Sequence, residues 1–387
     1  MKSERVLGRI TGEAGGPVIV VMAGIHGNEP AGLRASQRVI ERLRADGTAM
    51  RGSLVVLRGN LAALAQKTRF IDMDLNRMWS PQRVAVLRAR SRGPWNSVEE
   101  REQFELLEAL EGIVDGSAPE HYFLDLHTSS ADGPPFLTVG DTLRNRAFAA
   151  SFPLPMILGL EEQVDGALLE FLSNSGFITL GVEAGRHDAE SSVERQEAVL
   201  WLALAGSGLV EAAAVPELQR HRSLLERAGE GVPRSVEVRR RHAIDSEDGF
   251  CMEPGFANFQ PVEKGRLLAR DKHGLVLAPD QGRLLLPLYH GKGDDGFFLA
   301  RDVKRFSLIL STVIRRLRLG GLARLLPGIS RHSDNPDVLV MKGRAAGRYP
   351  LELFFLLGFR KRRRVGEEIL LTRRRHDLKP PPRIASL

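Results

Sequence analysis

The chain has a single cysteine, Cys251, among its 387 residues. An intrachain disulfide is therefore excluded, which fits a reducing compartment. The opening stretch MKSERVLGRITGEAGG lacks the apolar run of a signal peptide, so export by the general route is not expected and a cytoplasmic location is. No apolar run reaches the roughly 18 residues a membrane span requires. The longest, AVLWLALAGSGLV from Ala198, stops at Glu211 and reads as a packed helix. An internal repeat of roughly 20 to 50 residues is also lacking. Acidic residues are scarce at one end: from Arg301 onward 21 Lys+Arg face 7 Asp+Glu, a net +14, so the first 300 residues net −7. The overall +7 thus belongs to one end, which argues against a uniformly basic nucleic-acid binder.

What is present is an ordinary globular composition, 43% hydrophobic and 27% charged, on a chain too long for one small core. Short apolar runs (PVIVVMAG, GSLVVLRG, YFLDLHT, FITLGVEAG) alternate with helical patterns such as SVEEREQFELLEALEGIV. This alternation predicts an α/β domain over residues 1–215, with a mixed, largely parallel sheet and helices on both faces. Residues 216–300 carry a linker helix, PELQRHRSLLERAGEG, and then short runs punctuated by Gly and Pro, expected to form a small β-rich domain of barrel or sandwich type. Residues 301–387 read as a basic helical extension containing RFSLILSTVIRRLRLGGLARLL, LELFFLLGF and RKRRR.

Polar residues crowd the ends of three predicted strands. His26 and Glu29 follow PVIVVMAG in AGIHGNEPAG, His127 ends FLDLH, and Glu183 ends FITLGVE. The carboxyl ends of strands are where α/β proteins place their chemistry. Two imidazoles and a carboxylate are a common ligand set for catalytic Zn²⁺, and a further glutamate can act as general base. Asp125 shares a strand face with His127 and can orient its ring. Arg69, Asp74, Asn76 and Arg77 cluster in TRFIDMDLNRMW. A guanidinium beside an amide suits a carboxylate clamp, and another can polarise a carbonyl. Each strand-end residue alone reads better as a satisfied polar group, and the arginines alone as surface ion pairs; it is the placement of all four at strand ends that favours a site.

Taken in order, HGNEPAG, TRFIDMDLNRMW, DLHTSS and GVEAG resemble the succinylglutamate desuccinylase and aspartoacylase family, a branch of the zinc-carboxypeptidase fold, over roughly residues 15 to 300. The resemblance implies one Zn²⁺ on His26, Glu29 and His127, with Glu183 activating water and Arg69 polarising the amide carbonyl. It further implies a substrate carboxylate on Asn76 and Arg77, and Tyr289 reaching the site from the β-rich domain. The sequence departs from aspartoacylase where Ser173 stands in the register of a substrate-binding arginine, for which Arg186 is a candidate replacement. KGRLLARDKHGLVLAPDQGRLL resembles a biotinyl or lipoyl carrier hairpin with Lys272 at its tip, and is taken as architecture only.

The expected function is a zinc-dependent hydrolase of the amide bond of an N-acyl amino acid or similar small carboxylate-bearing amide. Two alternatives stand beside it. One is a metallocarboxypeptidase acting on peptides. The other is a protein that meets nucleic acid or an anionic membrane through its basic end, less favoured because RKRRR reads better as a solvated face.

Overall fold

The computed structural model describes residues 4–90, 93–114, 116–289, 292–342, 345, 348–381 and 387. The first half of the chain runs β1 (Val6–Thr11), β2 (Glu13–Ala23), α1 (Ala31–Asp46), β3 (Arg51–Arg58), α2 (Leu61–Gln66), α3 (Pro81–Ala89), α4 (Val98–Glu111), β4 (His121–Ser129), β5 (Phe136–Val139), α5 (Leu143–Ala149), β6 (Met156–Leu158), α6 (Leu168–Ser175), β7 (Ile178–Arg186), α7 (Glu190–Gly206) and α8 (Leu218–Ala228). The segment AVLWLALAG lies in α7 and is packed, as its composition predicts. No helix among the described residues is long and apolar enough to cross a membrane.

At the centre of the main sheet, β3, β2, β4 and β7 lie side by side and parallel. The run PVIVVM is apolar at every position because both faces of β2 are covered. Ile19 and Val21 face a core shared with α1 and α7, whereas Val18, Val20 and Met22 face one shared with α3, α4 and α6. Beyond β7 the sheet continues through β5 and β6 to β8 (Ser235–Ala243).

The β-rich segment adds β9 (Cys251–Met252), β10 (Pro261–Val262), β11 (Leu267–Asp271), β12 (Gly274–Leu277), β13 (Gly282–Leu285) and β14 (Asp295–Asp302). Strands β8, β14, β13 and β10 prolong the main sheet, and β12, β11 and β9 form a three-stranded sheet of their own. The β-rich segment is thus continuous with the main sheet through the β6–β8 pair.

The extension is not simply helical. Alongside α9 (Arg305–Arg316) and α10 (Leu351–Leu356) it builds a four-stranded antiparallel sheet from β15 (Ile329–Arg331), β16 (Val338–Lys342), β17 (Phe359–Val365) and β18 (Glu368–Arg373). Leu339 and Met341 of β16 and Ile369 and Leu371 of β18 alternate into one small core, a period of two that favours strand over helix. Gly366, at φ +58°, makes the turn between β17 and β18.

RKRRR lies in β17 and is not a uniformly solvated face. Arg360 is buried and paired with Asp141 and Glu237 of the body. Lys361 Nζ lies 2.8 Å from Glu170, and Arg363 pairs with Asp165. Arg315 and Arg374 are buried as well, against Asp141 at 2.8 Å and against Glu161 and Glu162 at 2.8 and 2.9 Å. The surplus of one end therefore meets the deficit of the other.

Candidate metal centre and substrate pocket

His26 and Glu29 stand in the turn between β2 and α1. That turn needs its glycines: Gly24 is left-handed at φ +73°, and a Cβ on Gly27 would fall 2.0 Å from the carbonyl carbon of Ala63. His127 lies on the neighbouring strand, in register with Glu183 of the next. Glu29 joins the two rings, with Oε1 2.8 Å from His26 Nδ1 and Oε2 3.1 Å from His127 Nδ1. The backbone N–H of Thr128 donates to the same Oε2 at 3.0 Å. Ligand atoms of His26, Glu29 and His127 all lie within 4.8 Å of one another, and all three residues are buried.

The outer nitrogen of each ring meets a buried carboxylate. His26 Nε2 is 3.2 Å from Asp74 Oδ1, and His127 Nε2 is 2.9 Å from Asp125 Oδ2. Both rings therefore direct Nδ1 toward the centre, held from behind as metal-ligating histidines are. The Asp125 contact follows from strand alternation. The equivalent role of Asp74 was not legible, because it depends on a loop folding back across the strand ends.

The centre is short of positive charge. Burial pushes the Glu29 carboxyl up, but the His26 and His127 rings outweigh it and hold the group well below its ordinary 4.5. Burial lowers His127, yet Asp125 and Glu29 raise it well above 6.5. Burial lifts Glu183 to about 8, opposed by His127 and reinforced by Glu29. Glu183 Oε2 is enclosed with no hydrogen-bond partner among the described residues. A buried set of two imidazole nitrogens and one carboxylate whose ligand atoms lie this close together fits zinc.

One pocket of about 140 Å³ unites these groups: His26, Glu29, His127 and Glu183 line it together with Arg69, Asn76 and Arg77. Arg69 Nη2 lies 3.0 Å from Asp74 Oδ2. Asn76 accepts the Leu168 N–H at the start of α6 at 3.0 Å. Arg77 is not free: its Nη2 is 2.8 Å from Asp295 of β14. The whole loop hangs on Glu99 of α4, which accepts from the N–H groups of Ile71, Asp72 and Met73 and from the Asn60 amide at 2.7 to 3.3 Å. Nothing in the sequence separates Glu99 from an ordinary acidic residue in the first turn of a helix.

Residues 15–199 match the profile described as the succinylglutamate desuccinylase/aspartoacylase catalytic domain. This segment belongs to that family. The chain is 25% identical over 292 residues to a succinylglutamate desuccinylase of Paraburkholderia xenovorans, covering 71% of this chain and 78% of that protein. It is 35% identical over 77 residues to one of Photorhabdus laumondii, covering 20% of this chain and 24% of that relative. With this and other curated relatives the match spans only about a quarter to a third of their length. The fold is shared with a succinylglutamate desuccinylase/aspartoacylase of Rhodobacter sphaeroides (TM-score 0.57, 19% identity, 77% of this chain and 88% of that one). It is also shared with the ectoine utilization protein EutE of Ruegeria pomeroyi (TM-score 0.53, 19% identity, 76% and 87%).

Around this desuccinylase/aspartoacylase domain, some expected contributors lie elsewhere. Tyr289 is 39% exposed and does not line the pocket. Its hydroxyl accepts the Phe256 N–H at 2.8 Å and donates toward backbone carbonyls of the same segment, so the phenol satisfies itself within the β-rich region. Its neighbours Leu286, Pro287, Asp294 and Asp295 reach the pocket instead. Ser173 is buried in α6 and is not among the lining residues, and Arg186 is exposed and paired with Asp188 at 3.0 Å. Lys272 is at the tip of the β11–β12 hairpin, 2.8 Å from Asp248. A wall residue not foreseen is Glu161, buried after β6 and held by Arg374 of the extension. Burial, with Glu162 adding and Arg374 opposing, raises Glu161 to about 7.

Proposed function

We propose that this protein is a zinc-dependent hydrolase that removes the acyl group from an N-acyl amino acid or a similar small carboxylate-bearing amide. The observation that carries the reading is the convergence of His26, Glu29, His127, Glu183 and Arg69 on one pocket. Zn²⁺ held by His26, Glu29 and His127 would supply Lewis acidity, making water reactive near neutral pH.

The remaining chemistry falls to side chains of the chain. Glu183 takes a proton from the attacking water as the new C–O bond forms, and returns it to the nitrogen as the C–N bond breaks, leaving a carboxylate and an amine. Its raised affinity for a proton suits both transfers. Arg69 donates to the carbonyl oxygen as negative charge develops there. Asn76 and Arg77 bind the substrate carboxylate, with Arg77 exchanging part of its contact with Asp295.

The pocket favours a small substrate over a peptide: about 140 Å³ is below the several hundred that drug-sized ligands occupy. Its lining cations among the described residues are Arg69 and Arg77, both already paired with carboxylates, and Glu161 adds an acid to the wall. A second substrate carboxylate therefore lacks a partner, whereas Leu160, Val164 and Leu169 offer apolar contact. The test is metal analysis of the purified protein, with kcat/KM on N-acetyl derivatives of neutral amino acids, N-acetylaspartate, N-succinylglutamate and the matching carboxamides. About one zinc per chain, loss of that zinc in His127→Ala and preference for neutral side chains are expected. Full zinc occupancy after His26 and His127 are both changed to Ala would overturn the ligand assignment, and equal rates on acids and carboxamides would remove the clamp.

A further inference from the structure

The extension spends only part of its charge on the body. Residues 303–333 contain no Asp or Glu but seven Lys and Arg. Arg315 is buried in its ion pairs, whereas Arg305, Arg316, Arg318 and Arg324 are exposed and no ion pair engages them among the described residues.

Helix α9, in the same stretch, has polar residues at its two buried positions: Ser311, 2% exposed, donates its hydroxyl to the Leu356 carbonyl of α10, and Arg315, 6% exposed, reaches Asp141 of the body, while Leu308 and Ile314 are only partly buried beside them. Toward solvent it presents Phe306, Ile309, Val313 and Leu317, 72%, 52%, 48% and 63% exposed. Their spacings of three, four and four residues place them within about 80° of helix arc. The turn Leu319–Leu325 continues the patch with Leu322 and Leu325. Half of the exposed large hydrophobic residues of the described protein fall in this one stretch, a clustering that marks a contact surface.

We propose that α9 and the turn after it form the face by which this protein lies on an anionic lipid bilayer. The apolar stripe would enter the boundary between headgroups and acyl chains, while Arg305, Arg316, Arg318 and Arg324 meet the lipid phosphates and carboxylates. Charge complementarity selects this occupant. A two-fold contact with a second copy would press the same arginines together, with no acid anywhere in residues 303–333 to offset them. Nucleic acid would satisfy the arginines and leave the apolar stripe in water.

The test is co-sedimentation of the full chain with phosphatidylcholine vesicles, with and without phosphatidylserine. Binding is expected only with phosphatidylserine. It should be lost in Phe306→Glu/Leu317→Glu and fall roughly fivefold for each of Arg316, Arg318 and Arg324 changed to Gln. Circular dichroism and the melting temperature check that each variant is folded. Absence of binding to phosphatidylserine vesicles would overturn the proposal. So would binding that survives Phe306→Glu/Leu317→Glu, which is charge attraction without a seated face. A concentration-dependent dimer in lipid-free buffer, dissolved by that same double change, would assign the face to a second copy instead.

Discussion

Replacing Asp141 by Asn tests how the extension is fastened. Asp141 is 1% exposed and receives three guanidinium groups: Arg146 at 2.7 Å, Arg315 at 2.8 Å and Arg360. Asn keeps the volume but removes the charge and turns an amide donor toward donors. Arg360 would retain Glu237 and Arg315 would retain Asp377, but Arg146 would keep no ion-pair partner among the described residues. Removing one partner of a buried ion pair costs about 3–5 kcal/mol, which lowers a urea midpoint by on the order of 1 M. Arg363→Ala, by contrast, breaks an exposed pair with Asp165 and should cost about 0–1 kcal/mol.

The pH dependence has a definite sign. Burial pushes the Asp141 carboxyl up, but Arg146, Arg360 and Arg315 outweigh it and hold it well below 3.8. A depressed carboxyl stabilises the fold fully above its unfolded value and loses that contribution as pH falls through the folded one. The difference between wild type and Asp141→Asn should therefore be constant from about pH 5 to 8 and narrow only below about 4. Urea titrations across that range measure it, and limited trypsin digestion should cut residues 301–387 sooner in the variant. A midpoint within experimental error of wild type would refute the reasoning, as would a difference that disappears between pH 8 and 5.

Glu183→Gln should bind zinc and lose about 10² to 10⁴ in turnover; loss of the metal instead would make Glu183 a ligand. Zinc loading near pH 7 should release at least one proton, because His127 is raised well above 6.5 and Glu183 sits at about 8 in the metal-free protein. Calorimetry in buffers of different ionisation enthalpy reads that release, and none would contradict the charge assignment. Glu99→Ala should raise KM more than it lowers thermal stability, since the N–H groups it frees lie in the loop carrying Arg69 to Arg77. The less disruptive Glu99→Gln should recover part of the affinity, and an unchanged KM in Glu99→Ala would deny Glu99 its positioning role.

The cluster was legible where its residues sit on or next to strands. His26, Glu29, His127 and Glu183 follow apolar runs that read as buried strands, and alternation by two places Asp125 behind His127. Tyr289 was expected at the pocket, but a loop residue's direction depends on which backbone groups it finds, and its hydroxyl finds those of the Phe256 segment. RKRRR was read as solvated because its partners, Asp141, Asp165, Glu170 and Glu237, lie more than 120 residues earlier in the chain.

The amino-acid order alone determined the parallel centre of the sheet, the clustering of two imidazoles and two glutamates at its carboxyl edge, and the charge asymmetry between the two ends. Those features follow from local periodicity and composition, which need no knowledge of distant contacts. Only the tertiary structure decided that Asp74 backs His26, that Glu99 carries the Arg69 loop, and that buried Arg374 of the extension holds the pocket wall at Glu161. It also decided which face of α9 is exposed, because an amphipathic pattern defines two faces and leaves their direction to packing. Arg315 reached a buried carboxylate on one side, and that left Phe306, Ile309, Val313 and Leu317 in water on the other.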